Sequence, residues 1–249
     1  MNKQKYITIF ALPCMWLAYF LFELFTGRVR DPVTLIGNLL FLVLFAAIGY
    51  FAYSFTKRYE KGLSTKAMWI FFFVLMIIDQ GIKIIIKFFY FHKYVSILDG
   101  FISFNPIINT DGSWLNARFG TGVSFPLLIL LNFIALFIFI EIYRYSKFNG
   151  IKDIYSDLSI LFIFSGALCS LIDKVFYGGS LDFIGVGDLF IADIKDIYIN
   201  LGIFFLLISL YYNGFFKDDD SSLKEDMNSL KRFFSFISND FKRKVKKDT

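Results

Sequence analysis

Four ionisable residues stand where an apolar chain has least reason to keep them. Asp79 and Lys83 lie inside one long apolar run, Asp173 closes another, and Asp196 opens the next. A charged side chain at hydrocarbon depth costs ~2.5–3.5 kcal/mol on insertion scales, so each of these demands a partner or a task. Asp79 and Lys83 are four residues apart and share one face of a helix. They either neutralise each other for insertion or line a polar cavity. Asp173 and Asp196 flank a Gly-containing loop, so the two helices bearing them can be neighbours with both carboxyls at one end. Two carboxyls a few ångströms apart cannot both ionise and share one proton. The ionised one then takes a proton from water while the protonated one polarises a carbonyl, which is acid–base peptide hydrolysis. Asp193, one helical turn before Asp196, competes for the second place. The alternative is that Asp193 or Asp196 only caps the helix that follows.

Six apolar runs supply the elements to hold these residues: 6–25, 33–55, 67–91, 123–143, 155–177 and 197–216. Each is close to the ~20 residues that cross a hydrocarbon core. Hydrophobic residues make up 57% of the chain and mean hydropathy is +0.60. The fold class expected is an all-α integral membrane protein with six transmembrane helices. The first run is longer than the apolar core of a cleavable leader and ends in Phe25-Thr26-Gly27-Arg28, so it is read as a retained helix.

Basic residues sort by gap. Lys3 and Lys5, then Lys57, Arg58, Lys61 and Lys66, then Arg144, Lys147 and Lys152, and last the tail from Lys231 to Lys247 occupy alternate gaps. The positive-inside bias therefore puts both termini in the cytoplasm, outweighing Arg28, Arg30 and Lys93 on the outer side. It also accounts for the net charge of +5 without a nucleic-acid partner. Cys14 and Cys169 sit in separate spans, so neither a disulfide framework nor a zinc site is expected. A single histidine, His92, makes a Ser-His-Asp or Cys-His triad impossible without it.

The outer segment 92–122 mixes aromatic residues with Asn, Pro and Gly, and reads as short strands and turns at the membrane surface. Segment 178–195, with four glycines and several aspartates, reads as a flexible acidic loop. In the tail, Leu223, Met227, Leu230, Phe233, Phe234, Ile237 and Phe241 recur at helical spacing among Lys and Arg. That pattern is a basic amphipathic helix lying on anionic inner-leaflet lipids.

Gly166-Ala-Leu-Cys-Ser-Leu-Ile-Asp173-Lys174, followed by Gly178-Gly-Ser-Leu-Asp182-Phe183, resembles the signature of the lipoprotein signal peptidases, signal peptidase II. Asp79-Gln80-x-x-Lys83 is similar to that family's early Asp-x-x-x-Lys motif. Asn109-Thr-Asp-Gly112-Ser-Trp is similar to its outer-surface Asn-x-Gly motif, and Ala192-Asp193-Ile-Lys-Asp196 falls where it has Phe-Asn-x-Ala-Asp. The resemblance covers roughly residues 67–216 and implies a four-helix peptidase-like core with a small outer-surface β element. Residues 1–66 would be two additional helices and 217–249 a cytoplasmic tail. It implies an intramembrane aspartic endopeptidase that cuts prolipoproteins before a diacylglyceryl-modified cysteine, in the bacterial cytoplasmic membrane, with no metal or cofactor. By motif position Asp173 and Asp196 are the catalytic pair. Asp79, Lys83, Asn109, Gly112, Ser170, Lys174, Asp182 and Asp193 support the site or bind substrate. Ser170 and Lys174 stand where the family has Asn and Arg, and Asp193 where it has Asn, which marks a divergent branch.

Two other functions compete. A small ion- or proton-coupled transporter would use Asp79, Lys83, Asp173 and Asp196 as a relay at several depths. A catalytically inactive relative would only bind precursors. A gathering of the carboxyls at one end favours the peptidase. The partners expected are the lipid-modified precursor and membrane lipids. The sequence specifies no oligomeric state.

Overall fold

The computed structural model describes residues 3–98, 100–214 and 223–245. Among the described residues, six helices are long and apolar enough to cross a membrane. They are α1 (Lys3–Phe25), α2 (Pro32–Arg58), α3 (Thr65–Ile85), α5 (Phe125–Phe148), α6 (Ile154–Ile172) and α7 (Ile194–Tyr212). A short helix, α4 (Trp114–Phe119), and a further long one, α8 (Leu223–Val245), are the other helices among the described residues. Their starts are written in the sequence. Asp31 accepts from the Thr34 amide and Pro32 follows it, Ser64 accepts from Ala67, and Asp153 accepts from Ser156. Asp193 and Asp196 form a reciprocal capping box at the start of α7. Both α3 and α6 run on into one π-helical turn, Ile86–Tyr90 and Asp173–Tyr177. Single π turns of this kind often sit at functional sites.

The buried centre lies between α1, α6 and α7, where Leu12, Ile154, Leu158, Leu161, Phe204, Phe205 and Ile208 pack together. Close approach of α6 and α7 depends on glycine. A Cβ at Gly166 would lie 2.8 Å from Ile199, and one at Gly202 would strike Ile163. Small residues at such contacts let backbones come together where lipid gives no hydrophobic drive. This close pairing brings the end of α6, with Asp173, beside the start of α7, with Asp193 and Asp196.

Four antiparallel strands cover that end in the order β1 (Val95–Leu98), β2 (Ile102–Asn109), β3 (Ser180–Val186) and β4 (Phe190–Ala192). The β2–β3 register pairs Ile107 with Asp182 and Asn109 with Ser180. The ladder is irregular between Phe104 and Ile107, the interval containing Pro106, which has no N–H to give.

The acidic segment 178–195 departs from the expected flexible loop. It holds β3 and β4, and all but one of the β3 residues are buried. Alternation of Leu181, Phe183 and Gly185 against β2 and α3 supplies a packed strand that glycine content alone conceals. Segment 92–122 contains the expected strands and also α4. The last apolar run ends as a helix at Tyr212 rather than reaching 216, and residues 215–216 lie outside the described residues. The tail is helical as expected. Phe233 and Phe236 pack on Tyr145, and Phe236 also on Phe148, while Met227, Leu230 and Phe234 are exposed.

Candidate active site

Beneath the sheet lies a buried cluster of five aspartates and two lysines. Asp79, Asp173, Asp182 and Asp193 are buried with Lys83 and Lys195, and Asp196 is half-buried. Lys83 Nζ is 3.0 Å from Asp79, 2.7 Å from Asp173 and 2.6 Å from Asp193. Lys195 Nζ is 2.5 Å from Asp193 and 3.6 Å from both Asp173 and Asp182. The two ammoniums are therefore shared among carboxylates from α3, α6, β3 and the start of α7. Even with half-buried Lys174 added, five carboxyls face three cations. Burial of more carboxyls than cations disfavours a full set of negative charges there.

The aspartates differ in what they are bonded to. Asp173 accepts from Lys83, Ser180 and Gln80, so both of its oxygens are engaged. Asp193 is held by Lys83, Lys195 and Ser180 on one oxygen and accepts from the Asp196 amide on the other. Burial pushes the Asp193 carboxyl up, but the Lys195 and Lys83 ammoniums outweigh it and hold it below the usual carboxylate range. Asp182 is the reverse. Burial and the Asp193 charge push its carboxyl up against the pull of Lys195. Asn109 Nδ2 donates to Asp182 Oδ2 at 2.8 Å, and Asp182 Oδ1 accepts no hydrogen bond from the described residues. Asp196 accepts from the Asp193 amide at 3.1 Å and is half-buried. One oxygen each from Asp182, Asp193 and Asp196 lies within 4.8 Å of the others.

The sequence-expected residues are thus placed as follows. Asp79 and Lys83 do pair along α3, and Lys83 also bridges to α6 and to the start of α7, so the pair lines a polar interior. Asn109 reaches Asp182. Gly112 holds φ +70° in the turn after β2, where a Cβ would stand 2.9 Å from Leu128. Ser170 accepts from Lys174 at 2.5 Å. Asp173 is drawn to Lys83, whereas the carboxyls gathered around Asp196 are those of Asp182 and Asp193. Three participants escaped the sequence reading: Gln80, Ser180 and, above all, Lys195. Lys195 is the one cation between two aspartates at a helix start, and that spacing was the available signal. Its ammonium also supplies the positive charge that three converging carboxylates could otherwise take from a metal ion.

The Signal peptidase (SPase) II family model matches residues 70–212. The chain belongs to the signal peptidase II family. It is accordingly a multi-pass membrane protein of a bacterial peptidase family. A solved structure described as a bacterial membrane enzyme, obtained by the in meso method at 2.3 Å resolution, is similar at 20% identity and a TM-score of 0.50. The likeness covers 66% of this chain and 98% of that one. A second bacterial membrane enzyme, solved by the same method at 1.9 Å, has 21% identity and a TM-score of 0.48, over 64% and 99% of the two chains. No curated protein matches. The signal peptidase II segment begins inside α3 and ends with α7, so it excludes α1, α2 and α8.

Proposed function

We propose that this protein is an aspartic endopeptidase that removes the signal peptide of a lipid-modified prolipoprotein, with Asp182 and Asp196 as its catalytic pair. One observation carries the assignment of the pair. Asp182 Oδ1 is buried, accepts no hydrogen bond from the described residues and has Lys195 no nearer than 3.6 Å, and an Asp182 oxygen lies within 4.8 Å of one from the half-buried Asp196, while Asp173 and Asp193 each have both oxygens engaged and a lysine within 2.7 Å. Asp173, which motif position put in the pair, then acts as the anchor of Lys83.

In this reading the two carboxyls share one proton, written on Asp182 before attack, with Asp196 ionised. Asp196 takes a proton from water as the oxygen attacks the scissile carbonyl. Asp182 gives its proton to the carbonyl oxygen. The tetrahedral intermediate then collapses: one hydroxyl returns its proton to Asp182 as the carbonyl re-forms, the C–N bond breaks, and the leaving amine takes the proton held by Asp196. The carboxylates at one end of the bundle argue against a relay through the membrane. Residues 67–216 form the catalytic core, with 1–66 and 217–249 as additions. The sheet end faces outward, both termini are cytoplasmic, and α8 lies on inner-leaflet lipids, in accord with the distribution of Lys and Arg.

The test uses the full chain in detergent with a fluorogenic lipobox peptide bearing a diacylglyceryl cysteine. Cleavage immediately before that cysteine, lost in Asp182→Asn and Asp196→Asn, is the expected result. A folded wild-type chain that leaves the peptide intact would refute the substrate assignment.

A further inference from the structure

The hairpin of α1 and α2 lies outside the signal peptidase II segment, yet its sheet-side end is bonded to the segments beside the acidic centre. Arg28, in the turn between the two helices, donates from Nη2 to the carbonyl oxygens of Asp188 at 2.6 Å and Leu189 at 2.7 Å. Those two residues belong to the β3–β4 turn, and β4 leads directly into Asp193 and the first turn of α7. Glu23 is fully buried and lies 3.5 Å from Arg28 and 3.4 Å from Arg118, a residue of α4. Arg118 also donates to Thr26. Tyr19 and Phe22 meet the Trp114 ring, and Trp16 and Tyr19 meet Phe190 of β4. Thr34 abuts Gly187. Three kinds of contact, namely carbonyl-directed hydrogen bonds, a buried ion triad and an aromatic cluster, thus converge from one hairpin on the same two segments.

A buried carboxylate between two guanidiniums is a poor source of stability on its own, since desolvation offsets much of the attraction. Its effect is to fix where the guanidiniums point. Arg28, set by Glu23, donates to two carbonyls of the β3–β4 turn.

We infer that the N-terminal hairpin is a brace for the catalytic face, with Arg28 as its positioning residue. Through the β3–β4 turn it sets the start of α7 and thereby the approach of Asp196 to Asp182. The catalytic half of this inference rests on the proposed peptidase reading; the structural half does not.

The experiment measures two things on the full chain: amide hydrogen exchange in residues 187–196, and kcat and KM on the diacylglyceryl peptide. Arg28→Met speeds exchange in that segment and lowers kcat roughly tenfold or more, the scale of a small misplacement of reacting groups, while KM changes less. Arg28→Lys, which keeps a donor at the turn, restores part of both. Glu23→Gln, which removes the charge that aims Arg28, falls between. Arg30→Met, on the exposed side of the same turn, changes neither. Unchanged exchange in Arg28→Met overturns the brace, and so does faster exchange with kcat intact. If the wild-type chain cleaves nothing, the peptidase reading fails, and the exchange rates alone then decide whether the hairpin holds the turn.

Discussion

Substituting the four aspartates at the sheet end one at a time by Asn should divide them into two classes. Asn keeps the shape but gives up one acceptor oxygen, the charge and the acid proton. Asp173 is bonded to Lys83 at 2.7 Å and to Ser180 at 3.1 Å. Breaking a buried ion pair costs ~3–5 kcal/mol. Lys83 keeps Asp79 and Asp193, so Asp173→Asn should cost about 3 kcal/mol, the lower end of that range. Asp193→Asn strips charge from both Lys83 and Lys195 and should cost more. Asp196→Asn removes one side of the capping box, about 1 kcal/mol, and Asp182→Asn relieves a carboxyl that burial already disfavours as an anion. These two should melt near wild type while losing at least ~100-fold in kcat, the share of a general acid or base. Thermal unfolding in detergent and single-turnover cleavage of the diacylglyceryl peptide, run on the same preparations, separate the classes. A stable but inactive Asp173→Asn beside an active Asp182→Asn would refute the reasoning and return Asp173 to the pair.

Other perturbations follow from the same contacts. The activity profile should fall on its alkaline side as Asp182 loses its proton, at a pH above the ordinary carboxylate range because burial raises that group. Asn109 donates to Asp182 and so favours its anion; Asn109→Ala should move the alkaline limb to higher pH, and a shift to lower pH would contradict the assigned proton. For stability the signs are opposite. Asp193, held low, contributes stability above its unfolded value that is lost as pH falls through the folded one, whereas Asp182, held high, opposes folding increasingly as pH rises. A melting series across pH 3–7 on wild type and Asp182→Asn should therefore diverge toward neutrality, with the variant gaining. Lys195→Met leaves Asp193 with Lys83 alone and should destabilise by roughly 3–5 kcal/mol, read in the same melts; a melting point at or above wild type would show that Lys195 is not an essential countercharge. Gly202→Leu forces α6 from α7 at Ile163 and should abolish cleavage together with cooperative unfolding.

The sequence made some of this legible and hid the rest for physical reasons. Apolar run length gave six spans, because a bilayer imposes a minimum length that a chain cannot disguise. Asp79 and Lys83 could be paired on one helix, since four residues is a fixed geometric relation. Charges meeting from different elements were harder. Asp173 and Asp182 are nine residues apart in one motif, and nothing in that spacing says which faces Asp196. The π turn after Ile172 and the β3 register decide it, and neither has a clear sequence signature. Treating 178–195 as a flexible loop compounded the difficulty, because a loop aspartate has no fixed direction whereas a strand aspartate does. Once β3 is a strand, Asp182 and Ser180 point to one side by the two-residue period, toward Asp193 and Lys195. Asn109, two positions along β2 from Asp182's partner Ile107, shares that side. The acid–base pair proposed here is therefore a property of a short sheet as much as of the helices. A helix bundle alone can bury aspartates, but the strand sets Asp182 against Asn109 and near Asp196, with Lys195 at 3.6 Å rather than in the close pairing that holds Asp193.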